Sequence, residues 1–451
     1  MEKNLTTGSV FKTLLSFSLP YLLSYFLQTL YGMADLFIIG QYNGVESTTA
    51  VSIGSQVMHM LTVMIVGLAM GGTVMIGQAV GAGERKKASK AIGNTISLFL
   101  SISFVLTLIL LILVKPITSV MSTPEEAVPG TISYLRICFI GIPLITAYNI
   151  ISAIFRGLGD SKSPMIFIAI ACAANIALDY LFIGMMGLGP AGAALATTIA
   201  QTISVISAFL IIRKRKEGIP LSTEDLKPDR SVMSGLLKVG VPVALQDGFI
   251  QISFIVITII VNMRGLNDAA AVGIVEKLIS ILFLVPSSML QTVSALCAQN
   301  IGAEKHERAR LTLRYAILIA VCWGILINIV MRLFSEPIIG MFTSSAVVTA
   351  MGCDYMRGYV WDCIFAGIHF CFSGYFYAYK LSAVSFLHNT ISILFARIPL
   401  SYLASKRFPD SLYPMGLATS AGSLLSVIVC LIVYIWMRRS GKTGKKDNRS
   451  S

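Results

Sequence analysis

Apolar residues occur in long runs that short polar segments separate. Twelve such runs can be counted, at about residues 14–40, 47–80, 88–114, 128–155, 163–186, 190–212, 236–262, 269–301, 311–334, 347–379, 382–404 and 413–437. A helix needs about 20 predominantly apolar residues to cross the hydrocarbon core of a membrane. The pattern therefore predicts an all-α integral membrane protein with twelve transmembrane helices. Several runs are longer than needed, so we expect tilted or protruding helices.

The pattern repeats after about 220 residues. NGVESTTAVSI (43–53) aligns with RGLNDAAAVGI (264–274), and GQAVGAG (77–83) aligns with AQNIGAE (298–304). Pro20 aligns with Pro242, and NIALDYL (175–181) aligns with RIPLSYL (397–403). Halves with six helices each share one orientation, so we expect two six-helix lobes related by a pseudo-twofold along the membrane normal, as in many transporters.

The polar interruptions define the predicted domains. The N-terminal lobe covers 1–212, a cytoplasmic linker covers 213–235, the C-terminal lobe covers 236–438 and a polar cytoplasmic tail covers 439–451. The linker carries several charges together with Gly218, Pro220 and Pro228, which is typical of a loop. We expect the tail, GKTGKKDNRSS from residue 441, to be disordered.

The net charge of +13 follows membrane topology. If the N-terminus is cytoplasmic, 26 of the 35 Lys and Arg residues fall in inner segments and five in outer loops. This asymmetry is the positive-inside rule, and it places both termini in the cytoplasm. The basic excess therefore predicts a multi-pass protein in contact with the lipid bilayer, with no nucleic-acid partner.

Motifs of other function classes are missing from the sequence. There is no G-x-x-x-x-G-K-[ST] loop for ATP and no H-E-x-x-H constellation, and the eight cysteines have no C-x-x-C spacing. We therefore expect neither an enzyme nor a cofactor or bound metal, apart from a coupling ion, Na⁺ or H⁺. An ion gradient is the natural energy source.

Acids inside membrane helices are costly, so each needs a partner or a function. Five lie well inside the predicted helices: Asp35, Asp179, Asp247, Glu276 and Asp362. At about 1.5 Å per residue, Asp35 lies roughly 7 Å, Asp179 roughly 12 Å and Thr197 roughly 11 Å below the outer ends of their helices.

Asn175 lies one turn before Asp179. Asp35, Asn175, Asp179 and Thr197 thus form a candidate cation-binding site, for Na⁺ or for a proton that the two acids share. Hydrogen bonds that only hold the lobe together are the alternative.

The second half does not repeat this set. Asn175 aligns with Arg397, Asp179 with Ser401, and Asp35 with Val256 or Ile257. We therefore predict cation coupling in the N-terminal half alone. The candidate substrate cavity contains Gln28, Asp247, Gln251, Glu276 and Asp362. For Glu276 and Asp362, structural pairing is the other interpretation, with Arg397 as a partner of Asp362.

Taken together, these motifs resemble the bacterial branch of the multidrug and toxin extrusion (MATE) family over residues 10–438. The resemblance rests on GQAVGAG, AQNIGAE, FRGLGDSK (155–162) and RIPLSYL within the two six-helix halves. It implies cation binding at Asp35, Asn175 and Asp179, with Thr197 or the adjacent Thr198 as the threonine. Some members carry a glutamate in helix 7 where this chain has Ile250, which favours the DinF-like branch and argues against a second cation site.

The resemblance implies a cation-coupled antiporter, driven by Na⁺ or H⁺, that exports diverse, mostly cationic or amphipathic drugs by alternating access. Such a multidrug efflux protein would contribute to antibiotic resistance, act on small drug-like molecules, lie in the bacterial plasma (inner) membrane and be a monomer. The alternative is a flippase or exporter of lipid-linked cell-wall or polysaccharide precursors. Four basic residues against five acids within the helices favour a cationic or neutral cargo.

Overall fold

The structure is a computed structural model that describes residues 4–214 and 221–441. The α-helices of the described residues are α1 (Val10–Tyr42), α2 (Val45–Gly81), α3 (Arg85–Val120), α4 (Val128–Ile140), α5 (Ile142–Gly157), α6 (Lys162–Asp179), α7 (Gly189–Lys214), α8 (Arg230–Asn262), α9 (Leu266–Leu282), α10 (Leu284–Gly302), α11 (His306–Gly340), α12 (Ala346–Tyr359), α13 (Asp362–Ala378), α14 (Ser382–Ser392), α15 (Ile398–Arg407) and α16 (Tyr413–Arg439). Two π-helical segments, Tyr180–Met185 and Ile393–Arg397, follow α6 and α14.

The described helices supply ten spans that are long and apolar enough to cross a membrane, or eleven if α4 and α5 form one bent span. The remaining predicted run, 347–379, is occupied by α12 and α13, which are 14 and 17 residues long. The chain is therefore a multi-pass membrane protein. At about 1.5 Å per residue, α3 is roughly 54 Å long, well beyond the hydrocarbon core of about 30 Å.

Next to Pro143 the chain bends by 49° between α4 and α5. Proline removes one backbone hydrogen bond and clashes with the preceding turn, so the helix restarts at Ile142. Pro286 likewise follows closely on the break between α9 and α10. Pro20 and Pro242, in contrast, lie inside the continuous helices α1 and α8.

The lipid-facing surface is seen most clearly on α3. Phe104, Leu108 and Ile112 recur every four residues and are 60%, 65% and 77% exposed. Residues at this spacing share one face of a helix. An exposed apolar stripe of this length is unstable in water and stable against lipid tails, which explains why the sequence tolerates it.

One compact unit, here called unit 1, consists of residues 1–4 and 19–244. In it α6 packs along α7, α2 along α5 and α3, and α4 along α7. An apolar cluster in this unit contains Ile38, Ile39, Tyr134, Phe139 and Ile183, all of them almost fully buried. This cluster surrounds the outer part of α1 that carries Asp35.

The other compact unit, unit 2, consists of residues 5–18 and 245–451. Its helix α13 packs along α10, α11 and α16, and α12 packs along α9 and α16. Tyr355 and Tyr359 are buried in an apolar cluster of this unit. Close contact between α12 and α16 depends on Gly358 and Gly416, because a Cβ on either residue would meet backbone of the other helix.

The predicted lobe boundaries remain a prediction, and the compact units divide the chain at other residues. The start of α1 up to Ser18 belongs to unit 2, and the start of α8 up to Ala244 belongs to unit 1. Both changes of unit lie within two residues of a proline, Pro20 or Pro242. Residues 215–220 of the predicted linker and 442–451 of the predicted tail lie outside the described residues.

Candidate functional site

Asp35 lies in the outer part of α1 and is 3% exposed. The next turn of the helix carries the buried Ile38 and Ile39, so this part of α1 faces the interior of unit 1. A carboxyl group on this buried face has lost most of its contact with solvent. An ionised carboxylate is stable there only if another group or a cation compensates its charge.

Asn175 and Asp179 lie one turn apart on α6 and are 2% and 0% exposed. Asp179 is the last residue of α6, and the π-helix Tyr180–Met185 begins directly after it. π-Helical turns inside α-helices occur frequently at functional sites. Here the change from α-helix to π-helix occurs directly after Asp179.

Thr197 completes the predicted set from α7. Its Oγ1 donates a hydrogen bond of 3.4 Å to Oδ2 of Asp35. Oγ1 of the neighbouring Thr198 donates instead to the backbone carbonyl of Ala194 at 2.8 Å, and its side chain packs on Gly141 at the bend between α4 and α5. Of the two threonines that the sequence left open, Thr197 is therefore the one in contact with Asp35.

The four predicted residues thus lie together in unit 1, since Asp35 interacts with Asp179, Asn175 and Thr197. Most of their polar atoms have no hydrogen-bond partner among the described residues: Oδ1 of Asp35, both side-chain polar atoms of Asn175, and both carboxylate oxygens of Asp179. Two carboxylates at short range cannot both ionise cheaply, so they share a proton or bind a cation.

This donor set fits a monovalent ion. Carboxylate, amide and hydroxyl oxygens are hard ligands of the kind that alkali and alkaline-earth cations prefer. Within the described residues no group of three or more His, Cys, Asp or Glu side chains is placed to hold a metal. The cluster offers two acids and neutral oxygens, which suits Na⁺ or a proton better than a transition metal.

Sequence reasoning did not include several neighbours of Asp35. Tyr31, Tyr134 and Cys172 all interact electrostatically with Asp35. Tyr31 lies one turn before Asp35 on α1, so helical spacing could have identified it. Tyr134 and Cys172 come from α4 and α6, and only the folded structure shows that they are close.

The residues of the predicted substrate cavity are distributed over both units. Gln28, on α1, belongs to unit 1, where it interacts with Tyr148. Asp247, Gln251, Glu276 and Asp362 belong to unit 2. Glu276 and Asp362 both interact electrostatically with Arg397. The structural-pairing interpretation of these acids stays a prediction. Asp247 lies near Tyr377.

A multi-pass helical protein with a duplicated scaffold and a buried, oxygen-rich acidic cluster has the features of a membrane transporter. The MatE family model matches residues 20–181 and, a second time, residues 242–403. The chain belongs to this family of multidrug and toxin extrusion transporters. Each match covers most of one predicted lobe.

Among curated proteins, the chain is 31% identical to the "Probable multidrug resistance protein YoeA" of Bacillus subtilis over 74% of both chains. It is 29% identical to "Probable multidrug resistance protein YpnP" of the same organism over 96% of both.

Among solved structures, the chain superimposes on a MOP superfamily transporter from Pyrococcus furiosus with a TM-score of 0.91, at 22% identity over 98% of each chain. The description of that structure reads "Reverse polarity of binding pocket suggests different function". The predicted fold of twelve transmembrane helices in two six-helix lobes is thereby confirmed. The assignment to the DinF-like branch stays a prediction.

Proposed function

We propose that this protein exports structurally diverse, mostly cationic or amphipathic small molecules in exchange for a cation, Na⁺ or H⁺. The observation that carries the proposal is the acidic cluster of unit 1, in which Asp35 and Asp179 are buried next to each other. Neither acid forms a salt bridge with a Lys or Arg among the described residues. A mobile cation would supply the missing positive charge. The relatives named as multidrug resistance proteins support a drug-like cargo.

The proposed mechanism couples the acids to α1. Asp35 and Pro20 lie on the same helix, about four turns apart. Cation binding at Asp35, Asn175, Asp179 and Thr197 would neutralise the acids, bend α1 near Pro20 and lower the affinity for the drug. Drug and cation must then favour different conformations, because a ligand shifts an equilibrium only by its differential affinity.

The location and assembly follow from the same proposal. We infer a monomer in the bacterial plasma membrane, with both termini in the cytoplasm, as the distribution of Lys and Arg predicts. No cofactor other than the coupling ion is needed, since the ion gradient supplies the free energy.

The test is efflux of ethidium from proteoliposomes in which a Na⁺ gradient and a pH gradient are imposed separately. The proposal predicts export driven by one of them, and loss of that export in Asp179→Asn. Glu336→Gln is the matched control, because Glu336 is an exposed acid on α11 outside the cluster. Export that persists in Asp179→Asn would refute the role of the cluster. Absence of gradient-driven movement of any cationic dye would favour the flippase.

A further inference from the structure

The AQNIGAE motif (298–304) belongs to the internal repeat but not to the acidic cluster. It ends α10 and leads into α11, and both helices belong to unit 2. The segment that precedes α1, residues 5–8, lies against this motif and belongs to the same unit. We call this segment the N-terminal strap. It contains neither helix nor strand, so its backbone groups need partners from elsewhere in the chain.

Leu5 attaches the strap to the motif. The residue is 1% exposed, and its backbone N–H donates to Oε1 of Gln299 at 3.2 Å. Its carbonyl accepts from Nδ2 of Asn300 at 3.4 Å. Gln299 and Asn300 are themselves buried. Two amide side chains of the motif thus pair both polar groups of a buried backbone residue, which would be costly to leave unsatisfied.

Two basic side chains hold the rest of the strap. Nζ of Lys305 donates to the carbonyl of Thr6 at 2.9 Å. Arg308 donates through Nη2 to the carbonyl of Thr7 and through Nη1 to that of Gly8, each at 2.6 Å. All four successive carbonyls of the strap therefore accept hydrogen bonds from side chains of unit 2, and those from charged donors are the stronger kind. We call the side chains that hold the strap the clamp: Gln299, Asn300, Lys305 and Arg308.

The second half is anchored at the equivalent place by other residues. Alignment of Pro20 with Pro242 sets Leu5 opposite Lys227, in the segment that precedes α8. In unit 1 the carbonyl of Lys227 accepts from Nδ2 of Asn94, on α3, at 3.3 Å. The two halves thus share an anchored start and differ in the side chains that provide it. The anchoring belongs to the duplicated architecture and does not depend on one residue type.

α1 connects the strap to the acidic cluster. The helix is continuous over Val10–Tyr42 and passes from unit 2 to unit 1 after Ser18. At about 1.5 Å per residue, Asp35 lies roughly 38 Å along it from the first residue. In its first turn Phe11 packs edge-on against Tyr315 of α11, with ring centroids 5.5 Å apart. The start of α1 is therefore fixed in unit 2, while the acid that it carries lies in unit 1.

We propose that the clamp residues are positioning residues for coupling. They hold the start of α1 in unit 2, so that a bend of α1 near Pro20 is transmitted to unit 2. Without the clamp the strap would move with the helix and absorb the bend. The strap stays bound throughout the transport cycle. This role rests on the exchange of cation for cargo proposed above, whereas the contacts of the strap do not.

The experiment compares the wild type with the Gln299→Ala/Arg308→Ala variant in nanodiscs and in proteoliposomes. Because the clamp binds neither ligand, the affinities for the driving cation alone and for ethidium alone should stay within about twofold of the wild type. The factor by which the cation weakens ethidium binding, about 5- to 150-fold in a coupled protein, should fall towards one. The maximal efflux rate should fall about tenfold or more.

Two further variants separate positioning from a general loss of structure. Arg314→Ala is the matched control, because Arg314 is an exposed arginine on the same helix, and it should behave as the wild type. Arg308→Lys, which keeps one charged donor, should give an intermediate coupling factor. A purely structural role would lower the melting temperature of Gln299→Ala/Arg308→Ala and leave the coupling factor of the folded protein unchanged, which would overturn the proposal.

A covalent lock covers the case in which Gln299→Ala/Arg308→Ala does not fold. Thr6→Cys/Lys305→Cys is made in a Cys322→Ser background, since Cys322 is the exposed native cysteine, and is closed with a short thiol-reactive cross-linker. The locked protein should export ethidium as fast as the unlocked wild type, because the strap need not leave the clamp. Loss of export on locking would overturn the proposal.

The outcomes also distinguish this inference from the proposed function. A wild type without gradient-driven export would refute the proposed function itself. A wild type that exports ethidium, together with a Gln299→Ala/Arg308→Ala variant of equal rate and equal coupling factor, would refute the positioning role alone.

Discussion

At the scale of single residues, the position of a side chain on its helix decides whether it can take part in the site. Thr197 and Thr198 are neighbours in sequence and chemically identical, yet only Thr197 contacts Asp35. The sequence grouped Asp35, Asn175 and Asp179 by residue count along the predicted helices, and the structure brings the three residues together. The sequence could not choose between the threonines, since this depends on how α7 is rotated.

We predict that Thr197→Ala weakens cation binding while Thr198→Ala does not. Loss of one hydrogen bond or oxygen ligand costs about 0.5–1.5 kcal/mol, which corresponds to a rise of roughly 2- to 12-fold in the half-saturating concentration of the driving cation. Cation-dependent ethidium efflux in proteoliposomes measures this concentration. Equal effects of the two substitutions would contradict the placement of Thr197.

At the scale of helices, one break coincides with a proline in the sequence, whereas another has no proline nearby. Pro143 lies at the bend between α4 and α5. The break between α12 and α13 at Val360 and Trp361 contains no proline, so the hydropathy pattern of 347–379 gave no sign of it. The sequence likewise did not predict the close contact of α12 with α16, although Gly416 aligns with Gly192 of the first half.

Substitution of Gly416 by alanine should destabilise unit 2. The added Cβ would lie 2.7 Å from the backbone nitrogen of Tyr359, so the two helices must separate, at a cost of about 1–3 kcal/mol. Gly273→Ala on α9 is the control, because no atom lies within 4 Å of its added Cβ. Thermal unfolding in detergent measures both; a Gly416→Ala protein as stable as Gly273→Ala would refute the contact.

The segment that precedes α8 is fixed to α3 by polar contacts. Nδ2 of Asn94 donates to the carbonyls of Asp225 and Lys227 at 3.2 and 3.3 Å, and its Oδ1 accepts from the backbone N–H of Asp229 at 2.7 Å. Asp229 caps α8 by accepting from the N–H groups of Ser231 and Val232 and pairs with Lys90 at 2.5 Å. The hydrogen bond from Lys90 and these N–H bonds lower the pKa of Asp229 below its usual value.

This pKa shift predicts a pH-dependent contribution to stability. A carboxyl whose pKa is lower in the folded state stabilises the fold above its unfolded pKa, about 3.9, and loses that effect as the pH falls through the folded value. Asp229→Ala should therefore melt below the wild type at neutral pH, and the difference should shrink on acidification below about pH 4. A difference that does not depend on pH would show that the charge of Asp229 contributes nothing.

At the scale of the whole molecule, the two halves share a scaffold and differ in their buried polar residues. The repeat in the sequence predicted two lobes, and the family model matches each half separately. The acid pair of unit 1 has no counterpart in unit 2, where Arg397 stands in place of Asn175. The sequence identified this asymmetry, but the surroundings of Arg397 depend on long-range packing of α9, α12 and α13 that no local pattern encodes.

The aligned prolines Pro20 and Pro242 lie where the chain changes from one compact unit to the other. In both α1 and α8 the chain passes from one compact unit to the other within two residues of the proline. Side chains hold the segments that precede these two helices. In unit 2, Arg308 donates hydrogen bonds to the carbonyls of Thr7 and Gly8 at 2.6 Å. In unit 1, Asn94 binds residues 225–229. The first residues of each half therefore belong to the compact unit that is built mainly from the other half.

The most direct test of the central claim, that the acids of unit 1 couple cation to cargo, is to measure cation release when substrate binds. Purified protein in nanodiscs is titrated with ethidium while bound Na⁺ is followed with radioactive sodium and released protons with a pH indicator. Linkage is reciprocal, so a coupled site must lose its cation as ethidium binds, and added cation must weaken ethidium binding by the same factor. We predict this exchange in the wild type and its loss in Asp179→Asn. Ethidium binding that leaves both Na⁺ and protons undisturbed in the wild type would contradict the account.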